Sequence, residues 1–174
     1  SLMYSKGKFS QLSHSLVNES IKYILSFKSK NSTSSLFPSS IKYDQNSCIY
    51  NSRLGWCYGD LGIASAIWIA GKMFNEKSWQ KEAINILTHS AMRKDLVENM
   101  VFDCGLCHGT AGIAHIFNRF FLETRIEIFD EARMFWLNET LALANFPDGL
   151  AGYKRWKGGK EYENEIGMLE GISG

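Results

Sequence analysis

Continuously apolar stretches alternate along this chain with stretches whose apolar residues recur at helical spacing. Residues 9–27, 77–93 and 126–143 carry apolar side chains three or four positions apart, separated by polar and charged ones. This spacing predicts amphipathic helices that each bury a single stripe. Residues 60–73 and 110–122 are apolar on nearly every side. Such a composition predicts two helices that are buried all round.

Polar residues indicate helix starts and loops between these stretches. Ser78 is placed to cap the helix that follows it, and Asp60 is as good a candidate for an N-cap as for a catalytic role. Residues 26–51 are rich in Ser, Lys and Asn and contain Pro38. This composition predicts a long surface connection, with a short extended piece at 40–43.

Glycine-rich turns precede both of the buried stretches. The turns at 55–62, 105–112 and 167–174 share the form G-x-x-x-G-x-x-G, and the first two start about 50 residues apart. That distance is typical of a helix-pair repeat. Glycine allows left-handed backbone and close approach of neighbouring turns at these positions. Buried helices inside and amphipathic helices outside predict an all-α fold, an α/α toroid or barrel.

The number of predicted helices is too small for a complete toroid. The third turn should open another buried helix, but the sequence ends there. We therefore expect residues 1–174 to be the C-terminal part of a larger helical barrel. Residues 9–27 would be an outer helix, 28–54 a loop, and 55–174 the glycine-turn helix repeats. Apolar surface left uncovered on the buried helices would favour self-association.

The first two glycine turns carry soft metal ligands at matching positions. Cys57 lies in the first turn, and Cys107 and His108 lie in the second. Tight packing explains the glycines but does not explain these three residues. Two thiols and an imidazole suit Zn²⁺ and leave a fourth position open, which is the pattern of a catalytic zinc site. We therefore predict a Zn²⁺ centre formed by Cys57, Cys107 and His108.

Composition and charge exclude several classes of protein. With 174 residues, of which 45% are hydrophobic, the chain is long enough to bury a core. Its net charge of +1 and lack of a polybasic stretch give no electrostatic basis for binding nucleic acid. No apolar run is long enough for a transmembrane segment, and no secretory signal is visible. We expect a cytoplasmic protein, since cysteines beside a histidine suit metal binding in a reducing compartment.

Three segments resemble the signature motifs of the LanC-type lanthionine synthetase cyclases. They are S-R-L-G-W-C-Y-G at 52–59, L-C-H-G at 106–109 and L-E-G-I-S-G at 169–174. The resemblance covers residues 53–174 well and the preceding part poorly. It implies an α/α toroid and a zinc ion bound by two cysteines and the histidine next to the second. These ligands match Cys57, Cys107 and His108.

The resemblance also implies an activity. Cyclases of this type form lanthionine and methyllanthionine thioether rings in lantibiotic biosynthesis, by adding a substrate cysteine thiolate to dehydroalanine or dehydrobutyrine in a dehydrated precursor peptide. Arg53 matches an arginine that the family uses, and Tyr58 matches a tyrosine. Arg53 is placed to stabilise the enolate. A dehydratase and a transporter of a modification complex are further partners that the resemblance suggests.

Part of the family's site has no counterpart here. The Asp and His that the family uses from its N-terminal half match no motif in this sequence. The proton donor would come from that missing half, with Tyr58 as a weaker candidate. We therefore expect the chain by itself to be inactive.

Other interpretations of the cysteines and histidines stay open. Residues 104–108 also match C-x-x-C-H, the haem c attachment motif, although that motif ignores Cys57. A hydrolase with Cys107 as its nucleophile is disfavoured, because an adjacent histidine rarely aims its ring at its neighbour. A non-catalytic LanC-like zinc protein would bind glutathione or a peptide. The remaining candidates are predicted to pack rather than bind metal: Cys48 as a small buried residue near a loop, Cys104 as an inert thiol in the core or behind the ligands, His115 as a core histidine, and His14 and His89 as surface or packing residues.

Overall fold

The computed structural model describes residues 10–41, 48 and 50–171. Within these residues it contains five helices and one hairpin: α1 (Ser10–Ser26), α2 (Gly59–Met73), α3 (Lys77–Ala91), α4 (Thr110–Thr124), α5 (Glu127–Ala142), β1 (Arg155–Gly158) and β2 (Glu161–Glu163). All five helices were predicted, each to within two residues at either end. Phe9, Tyr43 and the last three residues of the third turn lie outside the described residues.

The helices pack as pairs joined by short connections. α2 packs against α3, α4 packs against α5, and α3 also contacts α5. Asn75, between α2 and α3, has a φ of 57°, and Arg125, which ends α4, has a φ of 58°. A left-handed residue at the end of a helix reverses the chain within a few residues. The paired helices match the predicted toroid pattern, of which this chain holds a part.

The predicted stripe of α3 is buried throughout. Trp79, Ala83, Ile86, Leu87 and Ala91 all belong to the core. Facing residues of the other pair fill the rest of this core: Ile113, Ile116, Phe117 and Phe120 on α4, and Phe129, Ala132 and Trp136 on α5. The one-sided pattern of α3 and α5 therefore predicts their buried faces correctly.

The prediction that α2 is buried all round is wrong. Leu61, Ala64 and Ile67 are buried, whereas Ile69 is 59% exposed. The helix packs against α3, and its Trp68 and Lys72 side chains contact Glu123 on α4, but the side that carries Ile69 stays exposed. α4 is more completely covered, but His115, predicted to be a core histidine, is exposed on it.

The connection between α1 and α2 is partly internal rather than a surface loop. Leu36, Phe37 and Leu54 are buried. Fully buried Asp60 holds this segment, since its carboxylate accepts hydrogen bonds from the backbone N–H groups of Leu36 and Phe37, each at 3.0 Å. Part of the predicted extended piece is present as an isolated antiparallel bridge between Ile41 and Cys48.

Both predicted helix caps are wrong. Asp60 is the second residue of α2, whose N-cap residue is Tyr58, and no side chain caps this helix. Its carboxylate instead binds Arg93, whose Nη1 donates to Asp60 Oδ2 at 3.0 Å while Nη2 donates to the Ser52 carbonyl at 2.8 Å. Ser78 lies inside α3, which begins one residue earlier. The buried Asp60 carboxylate therefore binds residues that are distant in sequence and does not cap the helix.

A hairpin that was not predicted follows α5. β1 and β2 pair antiparallel, with Arg155 opposite Glu163 and Trp156 opposite Tyr162. Gly158, the last residue of β1, and Gly159, which follows it, both have positive φ. Paired glycines flanked by aromatic and charged residues were the available hairpin signal. Among the described helices, none is long and apolar enough to cross a membrane.

Candidate metal centre

The two ligand-bearing turns meet each other directly in front of two helices. α2 begins two residues after Cys57, and α4 begins two residues after His108. The Trp56 N–H donates to the Cys107 carbonyl at 2.9 Å, which joins the turns through their backbones. The positive end of a helix macrodipole therefore lies close to each turn, where it favours a thiolate over a thiol.

Close backbone contact makes this arrangement possible. A Cβ atom at Gly62 would lie 2.1 Å from the Trp56 carbonyl oxygen, and one at Gly112 would lie 1.9 Å from that of Leu106. Any other residue at these matching positions would push the turn away from the first turn of its helix. The predicted packing role of the glycines is thus seen at both turns.

The sulfur atoms of Cys57 and Cys107 converge to 3.0 Å. Both are free thiols, and their separation is well beyond the bond of about 2.05 Å in a disulfide. Tetrahedral zinc with Zn–S distances of about 2.3 Å requires two sulfurs about 3.8 Å apart. A small outward rotation of the two side chains would therefore suit such an ion.

Crowding of the two thiols disfavours charge on Cys57. Partial desolvation, the hydrogen bond with Cys107 and the neighbouring sulfur's charge raise the pKa of Cys57 to about 12. A free thiol ionises near 8.5, so Cys57 is protonated at neutral pH. A divalent cation between the sulfurs reverses this preference, because coordination favours the thiolate.

His108 directly follows Cys107 in the chain and is a neutral, half-buried imidazole. Desolvation and the positive charge of Arg53 lower its pKa, and the carboxylate of Asp103 partly opposes them. A neutral imidazole is the form that ligates metals. Its Nδ1 atom is buried and has no hydrogen-bond partner among the described residues. The structure therefore brings the two thiols together, and His108 is the residue that follows Cys107.

The side chains of the three predicted ligands do not converge on a single position that a metal ion could occupy. Among the described residues, no group of three His, Cys, Asp or Glu side chains is gathered as a metal site. The donor set nevertheless fits zinc in chemistry, because it combines two convergent thiols with a neutral imidazole on the adjacent residue. Of the three predicted ligands, the structure brings the sulfurs of Cys57 and Cys107 together, and His108 follows Cys107 in the chain.

Arg53 is held beside this centre with free donor groups. Its guanidinium carbon lies 5.4 Å from the centre of the Trp156 ring, a cation–π contact. Burial lowers the pKa of Arg53, whereas Asp103, Cys57, Tyr58 and Cys107 act in the opposite direction. Within the described part of the chain, its Nε and Nη2 atoms are buried without a hydrogen-bond partner. These donors are available to an acceptor such as a substrate carbonyl.

Asp103 is a site residue that the sequence analysis missed. It is 2% exposed, and its Oδ1 lies 4.0 Å from His108 Nδ1. The sequence did contain a signal for it. Asp103 lies two residues before the first glycine of the second turn, and another acidic residue, Glu165, lies at the equivalent position before the third turn. Trp156 was also missed, and only tertiary structure brings it to the site.

The whole chain matches one known family. The model of the family described as lanthionine synthetase C-like protein matches residues 1–174. The chain belongs to this family. No match was found among curated proteins. The match includes the part before Arg53, where the motifs alone carried little resemblance, and the paired helices are those of a partial LanC-like toroid.

Tyr58 and an apolar groove form one side of this LanC-like site. The groove, of about 1020 Å³, lies between α1 and α2 and reaches Cys57. Tyr58 is 48% exposed at its end, while Leu16 and Ile69 are more exposed along its sides. This groove is an exposed apolar surface through which the chain could self-associate, and the self-association expected from the sequence stays a prediction.

Apart from the exposed His115, the other cysteines and histidines of the LanC-like chain lie away from the thiol pair or contact neighbouring residues. Burial raises the pKa of Cys104, which keeps that thiol protonated and matches its predicted inertness. Cys48, which was predicted to be buried, is only half-buried. His14 contacts Phe74 and stacks on Trp79, and His89 lies 3.3 Å from the Ser32 carbonyl. The predictions for His14 and His89 are confirmed.

Proposed function

We propose that this LanC-like protein takes part in the zinc-dependent cyclisation of dehydrated peptides into lanthionine or methyllanthionine thioethers. The observation that carries the proposal is the convergence of the Cys57 and Cys107 sulfurs near Arg53, whose Nε and Nη2 donors have no partner among the described residues. Thiol ligands select a soft metal such as zinc. A buried cation next to them suits a reaction that develops negative charge on a carbonyl oxygen.

Cys57, Cys107 and His108 would hold the metal. When bound there, Zn²⁺ favours the deprotonated form of a substrate thiol and orients it as a nucleophile. The helix starts behind both ligand turns help the two protein thiols to lose their protons. Exposure of Cys57 at the end of the groove leaves a path by which a peptide reaches the centre.

The covalent step balances as a Michael-type addition. The substrate sulfur forms a bond to the β-carbon of dehydroalanine or dehydrobutyrine, and the π electrons move toward the adjacent carbonyl to give an enolate. The proton lost by the thiol is balanced by a proton delivered to the α-carbon from a general acid. The product therefore has the same mass as the linear peptide.

Arg53 would stabilise the enolate. Its Nε and Nη2 donors are buried and have no partner among the described residues, so a substrate oxygen need not displace an existing hydrogen bond. The Trp156 ring fixes the guanidinium on one side. A donor that is held before the reaction starts stabilises developing charge more effectively than one that must reorganise.

The test is ring formation by the full-length protein on a dehydrated precursor peptide that contains a cysteine. Because cyclisation leaves the mass unchanged, each sample is alkylated afterwards and analysed by mass spectrometry. Rings are counted as cysteines that no longer react. We expect the wild type and Cys104→Ala to close rings, and Cys57→Ala to fail.

An inactive wild type that contains zinc would contradict the cyclase proposal. It would favour the alternative, a non-catalytic LanC-like zinc protein that binds glutathione or a peptide. A thermal shift with glutathione, abolished in Cys57→Ala, would then identify that second function.

A further inference from the structure

Asp103 lies where the second glycine turn meets the β1–β2 hairpin. Its Oδ1 accepts a hydrogen bond from the Gly105 N–H at 3.2 Å, and its Oδ2 accepts one from the Trp156 N–H at 3.1 Å. Its carbonyl oxygen accepts the N–H of Thr110, the first residue of α4, at 2.9 Å. Two backbone N–H groups thus hold the carboxylate, a third holds the Asp103 backbone, and the residue is almost fully buried.

The imidazole of His108 faces this carboxylate. His108 Nδ1 lies 4.0 Å from Asp103 Oδ1. The same nitrogen is buried and has no hydrogen-bond partner among the residues that the structure describes. A carboxylate oxygen has a second lone pair, so Oδ1 can accept an N–H from His108 without releasing Gly105. A rotation that shortens the distance by about 1 Å would form that hydrogen bond.

We propose that Asp103 positions His108 by accepting a hydrogen bond from its Nδ1–H, which leaves Nε2 as the nitrogen that faces the metal. This inference rests on the proposed metal centre of Cys57, Cys107 and His108. A neutral imidazole carries one ring proton, and a carboxylate at Nδ1 holds the proton on that side. Such partners orient a ligating histidine and increase its basicity.

Asp103 also connects the metal centre to Arg53. Trp156 makes both contacts: its backbone N–H donates to Asp103 Oδ2, and its ring lies against the Arg53 guanidinium. One carboxylate therefore contacts the elements that place both the proposed ligand and the proposed enolate stabiliser. The effect of Asp103 on His108 can be separated from its contact with Trp156 by measuring which nitrogen of the His108 ring carries the proton.

Glu165 provides a matched control. It lies two residues before the third glycine turn, and its Oε1 accepts the Gly167 N–H at 2.8 Å, as Asp103 accepts Gly105. The hydrogen bond between Gly171 N–H and the Gly167 carbonyl likewise repeats that between Gly109 and Gly105, each at 2.9 Å. The third turn has Glu170 where the second has His108. Glu165 thus shares the turn contact but has no ligand to orient.

The test compares Asp103→Asn with Glu165→Gln in the full-length protein. An amide cannot accept all the hydrogen bonds that Asp103 accepts, because one end carries donors. We expect Asp103→Asn to lower zinc affinity about 10- to 100-fold, measured by competition with a chromophoric chelator, and Glu165→Gln to leave it within about twofold. Long-range ¹H–¹⁵N NMR of the zinc-loaded wild type should show the proton of His108 on Nδ1.

A double-mutant cycle separates orientation from folding. In a His108→Ala background, Asp103→Asn should cause no further loss of zinc affinity, since there is no imidazole to orient. Equal losses in Asp103→Asn and Glu165→Gln, a His108 proton on Nε2, or an unchanged affinity in Asp103→Asn would each overturn the role of Asp103. Absence of zinc binding by the wild type would instead overturn the proposed metal centre, and the role of Asp103 with it.

Discussion

The sulfur atoms of Cys57 and Cys107 lie 3.0 Å apart although 50 positions separate the residues in the chain. Each sulfur comes from a glycine turn at the start of a helix, and the turns are joined by the hydrogen bond between Trp56 and Cys107. Repetition of one local structure thus brings two thiols together. The metal content of the protein should depend on both.

Zinc content should fall sharply in Cys57→Ala. The wild type should contain about one zinc per chain, and loss of one of three protein ligands leaves a pair that seldom holds the ion. Elemental analysis after exhaustive dialysis is the measurement. Cys48→Ala and Cys104→Ala are the controls and should retain the wild-type content. Equal zinc in Cys57→Ala and the controls would show that the thiol pair is not the metal site.

Replacement of Arg53 should slow cyclisation without removing zinc. Arg53→Ala in the full-length protein removes a preorganised donor to the enolate, a loss that typically costs about 10²–10³ in rate. Arg53→Lys should recover only part of the rate, since an ammonium group lacks the planar fork of the guanidinium. The measurements are single-turnover ring formation and elemental analysis on the same samples.

Trp156 offers a graded check on the role of Arg53. Trp156→Phe keeps an aromatic ring under the guanidinium and should be nearly as fast as the wild type, whereas Trp156→Ala should be slower. An Arg53→Ala protein that cyclises at the wild-type rate would remove Arg53 from the mechanism. Loss of zinc or of folding in that variant would make Arg53 a structural residue.

The buried pair of Asp60 and Arg93 should be important for stability. Both side chains are almost fully inaccessible, so Asp60→Asn leaves a buried cation without its counter-charge. Such a loss costs about 3–5 kcal/mol, measured as the change in the free energy of unfolding in urea. Asp148→Asn is the control, because Asp148 forms a salt bridge with Lys154 at an exposed position, and no measurable change is expected. Similar changes in both variants would contradict the buried-pair explanation.

Glu123 should make stability depend on acidic pH. Its Oε2 accepts hydrogen bonds from Lys72 Nζ at 2.7 Å and Trp68 Nε1 at 2.9 Å, which connect α4 to α2. The Lys72 hydrogen bond is the main cause that lowers the pKa of Glu123 below its usual 4.5. The ionised Glu123 carboxylate therefore stabilises the fold above pH 4.5, and this stabilisation is lost as the pH falls through the lowered pKa of Glu123.

Thermal unfolding of Glu123→Gln from pH 7 to pH 3 tests this expectation. The variant should be less stable than the wild type at pH 7 by under about 1 kcal/mol, since the pair is partly exposed, and the difference should shrink below pH 4.5. Exposed Glu131→Gln on α5 is the control. A difference that is constant over this pH range would show that the carboxylate charge does not contribute.

Periodicity in the sequence predicted helices well because it reports one-sided burial directly. The stripe of α3 from Trp79 to Ala91 is buried as predicted. The same reasoning was wrong for α2. An apolar side chain such as Ile69 indicates that a helix face could be buried, but the sequence does not show whether another element covers that face. Asp60 was misjudged for a similar reason, since its partner Arg93 is remote in sequence and follows a different helix.

The sequence by itself determined the helices, the repeated glycine turns and the cysteines and histidine they carry, because helical periodicity, glycine and soft ligands are properties of local sequence. Only the tertiary structure decided that the two sulfurs meet, that Trp156 lies under Arg53, and that Asp103 faces His108. These contacts join residues from separate turns and from the hairpin. They depend on how helix pairs pack against one another, and no local pattern of residues encodes that packing.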